Sequence, residues 1–315
     1  MPEIQNITVL GAGMMGPGIA QLFAVRGYRT TVWGLENELP RVIETIRSNL
    51  GMMAGYGIGR EEEIEPAIAR VRTTSSLEDA VHDADFVEEA IVESLEIKQD
   101  FFSKMDSLCN EKTILATNTS VISPTEIALK SVHRERIVGT HFWNPPHLIP
   151  LVEVVRARET SDETMDRTMA LMADIGKRPV RVKKDVPGFL ANRLQHALWR
   201  EAISIVENGI ADPAEVDEAV KNSFGLRLPV LGPMENADLV GLDLTLAIHN
   251  YVLKHIEDSH LPSPILKEKV ERGDLGVKTG KGFQEWSSEG AEALRKGLAV
   301  HLMKWMKEHG GKCPC

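Results

Sequence analysis

The sequence of 315 residues lacks the features that mark several protein classes. It has only three cysteines, Cys109, Cys313 and Cys315, and this odd number argues against a framework of disulfide bonds. The terminal Cys-Pro-Cys offers two thiols with no histidine nearby, so we expect no bound metal. No uninterrupted apolar run is long enough to cross a bilayer, and no basic segment leads into an apolar one near Met1. We therefore expect a cytoplasmic protein.

A surplus of basic residues is also missing. The chain has 36 Lys and Arg against 46 Asp and Glu, which gives a formal net charge of −10 at pH 7. Nucleic acids and anionic membranes attract basic surfaces, so we expect neither as a partner. The hydrophobic content of 43% and the charged content of 26% are ordinary for a globular protein, and the length is enough for two domains.

Residues 7–34 have the pattern of a strand, a glycine-rich turn, a helix and a second strand. Glycines let the backbone turn tightly and approach a pyrophosphate, whose charge then lies at the start of the helix. A glycine-rich turn without a ligand is disfavoured because this turn follows a strand and opens a helix. We predict a dinucleotide-binding unit. The residues of the turn predicted to contact the cofactor are Gly11, Gly13, Met14, Met15 and Gly16.

The second strand lacks the acidic residue that usually binds the ribose 2′-hydroxyl at its end. Gly34 stands at that position, and Glu36 follows two residues later. No arginine follows the strand directly to meet a 2′-phosphate, so we expect NAD as the cofactor and Glu36 as its ribose ligand. The strength of the preference for NAD over NADP stays open.

Short apolar segments alternate with helical ones as far as residue 182. This alternation predicts a parallel sheet connected by crossover helices. Ligands of such sheets bind beyond the carboxyl ends of the strands. The residues that fall there are Glu93, Asn118, Ser120 and His141.

From residue 189 onward the pattern is almost entirely helical, with a long helix predicted over residues 239–258. Another helix is predicted to begin at Asp212, which is followed by a proline and, three residues later, by an acid. The predicted architecture is an α/β Rossmann-type dinucleotide-binding domain, residues 1–184, followed by an all-α domain, residues 185–315.

His141 and Glu153 are candidates for catalysis. A strand-like segment precedes His141, a proline-rich turn follows it, and a second strand, residues 151–155, carries Glu153. This return could bring the carboxylate back onto the imidazole, fixing one tautomer and raising its basicity, as a general base near neutral pH requires. Taken alone, a half-buried histidine and a solvated glutamate are the more ordinary interpretation.

Several motifs resemble, in order, those of the L-3-hydroxyacyl-CoA dehydrogenase family. They are residues 11–20, 89–94, 118–120, 141–145, 187–193, 232–235 with 241–243, and 278–283. The resemblance covers nearly the whole chain. It implies a Rossmann domain, a helical domain that commonly forms a homodimer, NAD as the oxidant, and hydride transfer that converts a 3-hydroxy group into a 3-keto group.

The resemblance also implies roles for individual residues. His141 matches the catalytic base of the family and Glu153 its orienting carboxylate, while Ser120 and Asn192 match polar groups around the reacting oxygen. Without the resemblance each residue has an ordinary structural interpretation. The residues that match holders of the cofactor are Glu93, Lys98, Asn118, Asn144 and Lys278.

Two departures from the family concern the substrate. Members that act on CoA esters usually carry lysines after the second strand, whereas residues 51–59 have no basic residue, leaving Arg47 and Arg60 as possible phosphate partners. Arg227, before a Gly-Pro, is similar to an arginine in relatives that oxidise free hydroxy acids, such as gulonate 3-dehydrogenase and carnitine dehydrogenase. A guanidinium suits a substrate carboxylate, although a surface or dimer-interface arginine is the alternative.

The segment His141–Pro150 and the linker before residue 189 also resemble a dehydrogenase of pyridine carboxylates. We predict NAD-dependent oxidation of a 3-hydroxy group on a small free acid that contacts Ser120, Asn192 and Arg227. A 3-hydroxyacyl-CoA dehydrogenase is the alternative, and a cofactor-binding protein without catalysis is a remote one. The sequence leaves open which acid is used and in which direction.

Overall fold

The computed structural model describes residues 4–309, so the predicted Cys-Pro-Cys of Cys313 and Cys315 lies outside the described residues. The described chain divides into two compact units. The first, called the sheet unit, comprises residues 4–192 and 298–309, and the second, called the helical unit, is Arg193–Gly297. The domain boundary predicted between residues 184 and 185 stays a prediction.

The sheet unit contains one eight-stranded sheet with the order β3-β2-β1-β4-β5-β6-β7-β8. Neighbouring strands are parallel except for β6 and β7, which are antiparallel. The strand order reverses between β1 and β4, which is where ligands bind in such sheets. The predicted α/β dinucleotide-binding architecture is confirmed. The strands are β1 (Asn6–Leu10), β2 (Arg29–Trp33), β3 (Val71–Thr74), β4 (Phe86–Glu89), β5 (Ile114–Thr117), β6 (Ile137–Phe142), β7 (Leu151–Val155) and β8 (Arg178–Val182).

Helices connect the strands and make up the helical unit. They are α1 (Gly16–Val25), α2 (Pro40–Gly55), α3 (Ile64–Ile68), α4 (Leu77–Val81), α5 (Leu95–Leu108), α6 (Pro124–Ile127), α7 (Asp162–Asp174), α8 (Ala191–Glu207), α9 (Pro213–Lys221), α10 (Phe224–Arg227), α11 (Pro233–Val240), α12 (Leu242–Val252), α13 (Pro264–Glu271) and α14 (Ser288–His309). None of the helices described is long and apolar enough to span a membrane.

In the helical unit, one predicted helix is wrong and the predicted start of another is confirmed. Residues 239–258 do not form one helix, because Gly241 has a φ of 103° and separates α11 from α12. The predicted start at Asp212 is confirmed, since its N–H donates to Glu215 Oε2 at 2.9 Å as α9 begins.

Both faces of the sheet carry a packed core. One face packs side chains such as Val9 and Val138 against Phe23 of α1 and Met172 of α7. The opposite face packs Val87 and its neighbours against α4 and α5. Each large apolar side chain buried in this way stabilises the fold by about 1.5–3 kcal/mol. The sheet unit therefore forms its core from its own residues.

The helical unit has very few buried side chains. Among its described residues, only Ser204 and Ala291 are less than 9% exposed. Many large apolar side chains are exposed, including Val230 at 88%, Leu239 at 75% and Leu246 at 61%. In α12, Leu242, Leu244, Leu246 and Ile248 are each at least 50% exposed, although such side chains are usually buried. The exposed surface of this unit is therefore rich in apolar side chains, as surfaces that contact another molecule usually are.

Candidate active site

The glycine-rich turn lies where the order of the sheet reverses. Gly11 has a φ of 123°, and a Cβ on it would lie 2.4 Å from the carbonyl oxygen of Ala90, so no side chain fits there. Gly13 and Met14 are exposed, and a Cβ on Gly13 would meet no atom within 4 Å. Met15 is half-buried, and Gly16 begins α1. The open side of the turn, at the start of α1, suits a pyrophosphate.

The missing acid at the end of β2 has a steric reason. A Cβ on Gly34 would lie 2.5 Å from the Cβ of Ala12 in the glycine-rich turn. Any side chain at position 34 would therefore collide with the turn that is predicted to hold the cofactor. Glu36 is exposed beyond this contact, and its role as a ribose ligand stays a prediction.

His141 and Glu153 face each other across the antiparallel pair of β6 and β7. Their Cα atoms are partners in the register, so both side chains lie on the same face of the sheet. The imidazole Nδ1 lies 2.7 Å from Glu153 Oε2, and the two side chains are 6% and 0% exposed. Because a carboxylate only accepts, we assign the proton to Nδ1, which leaves Nε2 as the acceptor for a substrate proton.

The carboxylate of Glu153 also accepts two backbone hydrogen bonds. The N–H groups of Leu190 and Ala191, at the start of α8, each donate to Oε1 at 2.9 Å. Burial would raise the pKa of Glu153, but the hydrogen bonds from His141, Ala191 and Leu190 outweigh it and hold the pKa below its ordinary value. One ionised carboxylate thus joins the candidate base to the start of α8.

Ser120 lies on the exposed loop after β5. Its backbone oxygen accepts a hydrogen bond of 3.1 Å from Asn192 Nδ2, so these two predicted residues are brought together. The neighbouring Asn118 accepts the N–H of Phe142 at 2.8 Å, which connects the loop to the strand that bears His141. The loop and the candidate base are thus parts of one hydrogen-bonded arrangement.

Glu93 and Lys98 lie next to the loop of Ser120. Glu93 Oε1 accepts from the N–H of Ser120 at 3.0 Å. Lys98 is 1% exposed, and its Nζ lies 2.6 Å from Glu89 and 3.3 Å from Glu93. The predicted cofactor contacts of these two residues stay predictions. Glu89 was not among the predicted site residues, although two adjacent acids at the end of a predicted strand were a signal for it.

The turn between β6 and β7 packs against α1 and is also held by hydrogen bonds from the buried Lys177. A Cβ on Gly18 of α1 would lie 2.7 Å from Pro146 Cγ, so the turn and the helix are in close contact. Lys177 is 7% exposed and its Nζ donates to the backbone oxygens of Pro146 and Ile149, the latter at 2.8 Å. Burial lowers the pKa of Lys177 to about 7.

The remaining predicted residues are exposed. Asn144 lies in the turn between β6 and β7, whereas Arg227, the last residue of α10, and Lys278 belong to the helical unit. The two possible phosphate partners are already paired. Arg47 Nε lies 2.9 Å from Glu65, and Arg60 Nη2 lies 2.5 Å from Glu63.

No metal centre was predicted. Within residues 4–309, no group of three or more His, Cys, Asp or Glu side chains could hold a metal ion.

Two family models match consecutive parts of the chain. The model described as 3-hydroxyacyl-CoA dehydrogenase, NAD binding domain, matches residues 6–186. The model described as 3-hydroxyacyl-CoA dehydrogenase, C-terminal domain, matches residues 188–286.

Two of the curated relatives differ in the kind of substrate that their names give. The 5-formyl-3-hydroxy-2-methylpyridine 4-carboxylate 5-dehydrogenase of Mesorhizobium japonicum is 35% identical over 304 residues, which cover 95% of this chain and 96% of the relative. The 3-hydroxybutyryl-CoA dehydrogenase of Clostridioides difficile is 36% identical over 284 residues, which cover 90% of this chain and 99% of the relative.

Two of the solved structures are enzymes of these same two kinds. A 5-formyl-3-hydroxy-2-methylpyridine 4-carboxylic acid 5-dehydrogenase, described as an NAD+ dependent dismutase, is similar with a TM-score of 0.90, 33% identity and coverage of 97% and 98% of the two chains. The (S)-3-hydroxybutyryl-CoA dehydrogenase of Ralstonia eutropha is similar with a TM-score of 0.77, 33% identity and coverage of 91% and 100%.

Proposed function

This chain belongs to the 3-hydroxyacyl-CoA dehydrogenase family and is an NAD-dependent oxidoreductase, and we propose that it oxidises the 3-hydroxy group of a small free carboxylic acid. The observation that carries the proposal is the buried pair of His141 and Glu153, with Nδ1 and Oε2 at 2.7 Å, beside the loop of Ser120. The pair supplies a base with one free nitrogen at the carboxyl ends of the strands, where a cofactor would bind.

His141 acts as the general base of the proposed reaction. When bound, NAD accepts a hydride from the carbon that carries the hydroxyl group. His141 Nε2 removes the hydroxyl proton, and the buried carboxylate of Glu153 stabilises the imidazolium that forms. In the reverse direction the same imidazolium donates the proton. Proton transfer by a positioned base typically contributes about 100- to 10,000-fold to the rate.

Ser120 and Asn192 orient the reacting oxygen in this proposal. Their contact of 3.1 Å keeps the serine hydroxyl and the asparagine amide in one neighbourhood. Both are neutral donors, suited to an oxygen that gains negative charge as its proton leaves.

Three observations favour a free acid over a CoA ester. Residues 51–59 carry no basic residue, and Arg47 and Arg60 are paired with Glu65 and Glu63. The similarity to the pyridine carboxylate enzyme covers 304 residues, against 284 for the C. difficile CoA enzyme. Its structural similarity is also higher, with a TM-score of 0.90 against 0.77. The CoA ester is the second candidate, because the sequence identities of the two relatives are equal within one per cent.

Arg227 is the proposed partner of the substrate carboxylate. Removing one member of a charged hydrogen-bonded pair typically costs about 2–5 kcal/mol, so Arg227→Met should lower kcat/KM for the acid by about tens- to thousands-fold. Arg272→Met is the matched control, since Arg272 is an exposed arginine of the same unit, paired with Glu268 at 3.0 Å.

The experiment compares NADH formation from a panel of free 3-hydroxy acids with NADH consumption by acetoacetyl-CoA. We expect turnover of a free acid that falls in Arg227→Met and persists in Arg272→Met. Turnover of acetoacetyl-CoA alone would establish the second candidate. A chain that binds NADH but turns over neither class would be the catalytically silent protein, which the presence of Ser120, His141, Glu153 and Asn192 disfavours.

We also propose the cofactor contacts that the sequence analysis assigned. The exposed Gly13 and Met14, next to Gly11, Met15 and Gly16, suit the pyrophosphate, and Glu36 suits the ribose. The candidates for the nicotinamide end are Glu93, Lys98, Asn118, Asn144 and Lys278. A kcat/KM for NADP equal to that for NAD would show that Glu36 does not discriminate.

The assembly we propose is a homodimer formed through the helical unit. Its support is the exposed apolar surface of that unit, which includes Leu239 at 75% and Leu246 at 61% exposure. Apolar surface of this extent usually marks an interaction site. We further propose a cytoplasmic location, because Cys109, the one cysteine among the described residues, is buried and free.

A further inference from the structure

Strand β4 ends in two glutamates that lie on opposite faces of the sheet, and both are 0% exposed. Glu88 contacts Thr140 Oγ1, and burial raises its pKa well above the ordinary value, which favours the protonated form of this carboxyl. Glu89 instead accepts from three donors: Lys98 Nζ at 2.6 Å, Thr117 Oγ1 at 2.7 Å and the N–H of Ile91 at 2.8 Å. The proposed catalytic steps use neither residue.

Lys98 connects Glu89 to Glu93. The buried ammonium lies between the two carboxylates, 2.6 Å from Glu89 Oε1 and 3.3 Å from Glu93 Oε2. A buried cation needs compensating charge, so Glu89 holds the ammonium in place. Glu93 is then held from one side by a fixed positive charge.

Glu93 in turn fixes the backbone of the loop that carries Ser120. Its Oε1 accepts from Thr119 Oγ1 at 2.5 Å, from the N–H of Ser120 at 3.0 Å and from the N–H of Val121 at 3.3 Å. Burial alone would raise the pKa of Glu93. The hydrogen bond from Thr119 and the charge of Lys98 have the larger combined effect and hold the pKa below its ordinary value, so the carboxylate is ionised. Three donors on one oxygen leave the loop little freedom.

We propose that Glu89 is a positioning residue for the reaction, acting through Lys98 and Glu93 on the backbone of Ser120. Small displacements of positioned groups have large kinetic effects, and a shift of about 1 Å can cost about 100-fold in rate. The inference rests on the proposed role of Ser120 in the reaction. It assigns to Glu93 and Lys98 the anchoring of this loop as a function separate from any contact with the cofactor.

The test compares Glu89→Gln with Glu88→Gln. The two changes are the same on adjacent residues of β4, but Glu88 accepts its hydrogen bonds from Thr140 Oγ1, whereas Glu89 accepts one from Lys98. We expect Glu89→Gln to lower kcat, measured at saturating NAD, by about 10- to 100-fold, and Glu88→Gln to leave kcat near the wild-type value. Glu89→Asp keeps the charge and should restore part of the lost kcat.

Hydrogen exchange gives a readout that does not depend on turnover. In Glu89→Gln the amides of Ser120 and Val121 should exchange faster than in the wild type, while amides in the middle of β5 keep their protection. The measurement needs no substrate, so it tests the anchoring of the loop separately from the proposed reaction.

Thr119→Val provides a second variant if Glu89→Gln does not fold. It removes one donor to Glu93 without changing a buried charge, and it should speed exchange at Ser120 and lower kcat in the same direction. The proposal is overturned if the Ser120 and Val121 amides keep their wild-type exchange rates. It is equally overturned if loss of NADH affinity accounts for the whole loss of activity, or if Glu88→Gln has the same effect as Glu89→Gln.

Discussion

The two units of the chain differ in how far their apolar side chains are buried. In the sheet unit, β4, β5 and β6 are buried at every residue, and the faces of the sheet are covered by helices of the same unit. In the helical unit, described side chains such as Val230 and Leu239 are more than 70% exposed. The unit with its own core also holds His141, Glu153, Ser120 and Asn192. The proposed reacting groups therefore lie in the unit whose own packing determines its geometry.

The largest effect should come from the sheet unit. His141→Gln removes the proposed base, so kcat should fall by about 100- to 10,000-fold with little change in the Kd of NADH. Steady-state kinetics and calorimetric titration with NADH measure the two quantities. His82→Gln, a change at an exposed histidine of the same unit, should leave both unchanged. Near-normal kcat in His141→Gln would remove the proposed mechanism.

The next largest effect is on stability, and it compares a buried leucine of the sheet unit with an exposed leucine of the helical unit. Leu115 is 0% exposed in β5, and Leu115→Ala should lower the free energy of unfolding by about 2–5 kcal/mol at any protein concentration. Leu246 is 61% exposed in α12, and an exposed leucine would contribute less than about 0.5 kcal/mol.

If a second copy covers the helical unit, Leu246→Asp should instead convert a dimer into a monomer. Light scattering after size-exclusion chromatography gives the mass, and the dependence of Tm on protein concentration gives the linkage. A wild-type chain that is monomeric at micromolar concentration would contradict the proposed homodimer.

Glu153→Gln should have a smaller effect on kcat than His141→Gln, about 100-fold at most, because the base remains and only its orientation and charge partner are lost. The same change alters the response to acid. Because the pKa of Glu153 in the folded state lies below its ordinary value of 4.5, its stabilising contribution is present above pH 4.5 and is lost as pH falls through the folded pKa. Urea unfolding should therefore show the two proteins converging in stability at acid pH.

The smallest effect concerns Lys177. Its pKa is lowered from 10.5 to about 7, so the folded state binds fewer protons than the unfolded state above neutral pH. The wild type should therefore gain about 1 kcal/mol relative to Lys177→Met between pH 7 and pH 8. Urea unfolding at the two pH values measures this difference. No gain would mean that the carbonyls of Pro146 and Ile149 keep the ammonium charged.

The sequence was informative where a local pattern determines local structure. The alternation of strands and helices predicted the fold class. The strands around residues 141 and 153 allowed a contact between His141 and Glu153, which the structure contains, although the pair alone favoured a solvated glutamate. Gly241 was not predicted to break a helix, because a glycine within an apolar helical pattern is tolerated and its positive φ depends on tertiary structure.

Other features depend on contacts between residues far apart in the sequence. Gly34 departs from the usual pattern because its neighbour in space is Ala12. Glu89 was missed because Lys98 and Thr117, which make its role visible, lie on α5 and β5. The short helices α10 and α13 have too few residues to show a clear periodicity.

The close contact between Gly18 and Pro146 limits how this enzyme can be engineered. A Cβ on Gly18 would come within 2.7 Å of the proline ring, and that proline lies in the turn that joins the strands of His141 and Glu153. A library that varies residues of α1 to change coenzyme preference would therefore also include variants that displace the proposed base, His141. Designs that keep residue 18 as glycine and vary the exposed Gly13 and Met14 would separate the two properties.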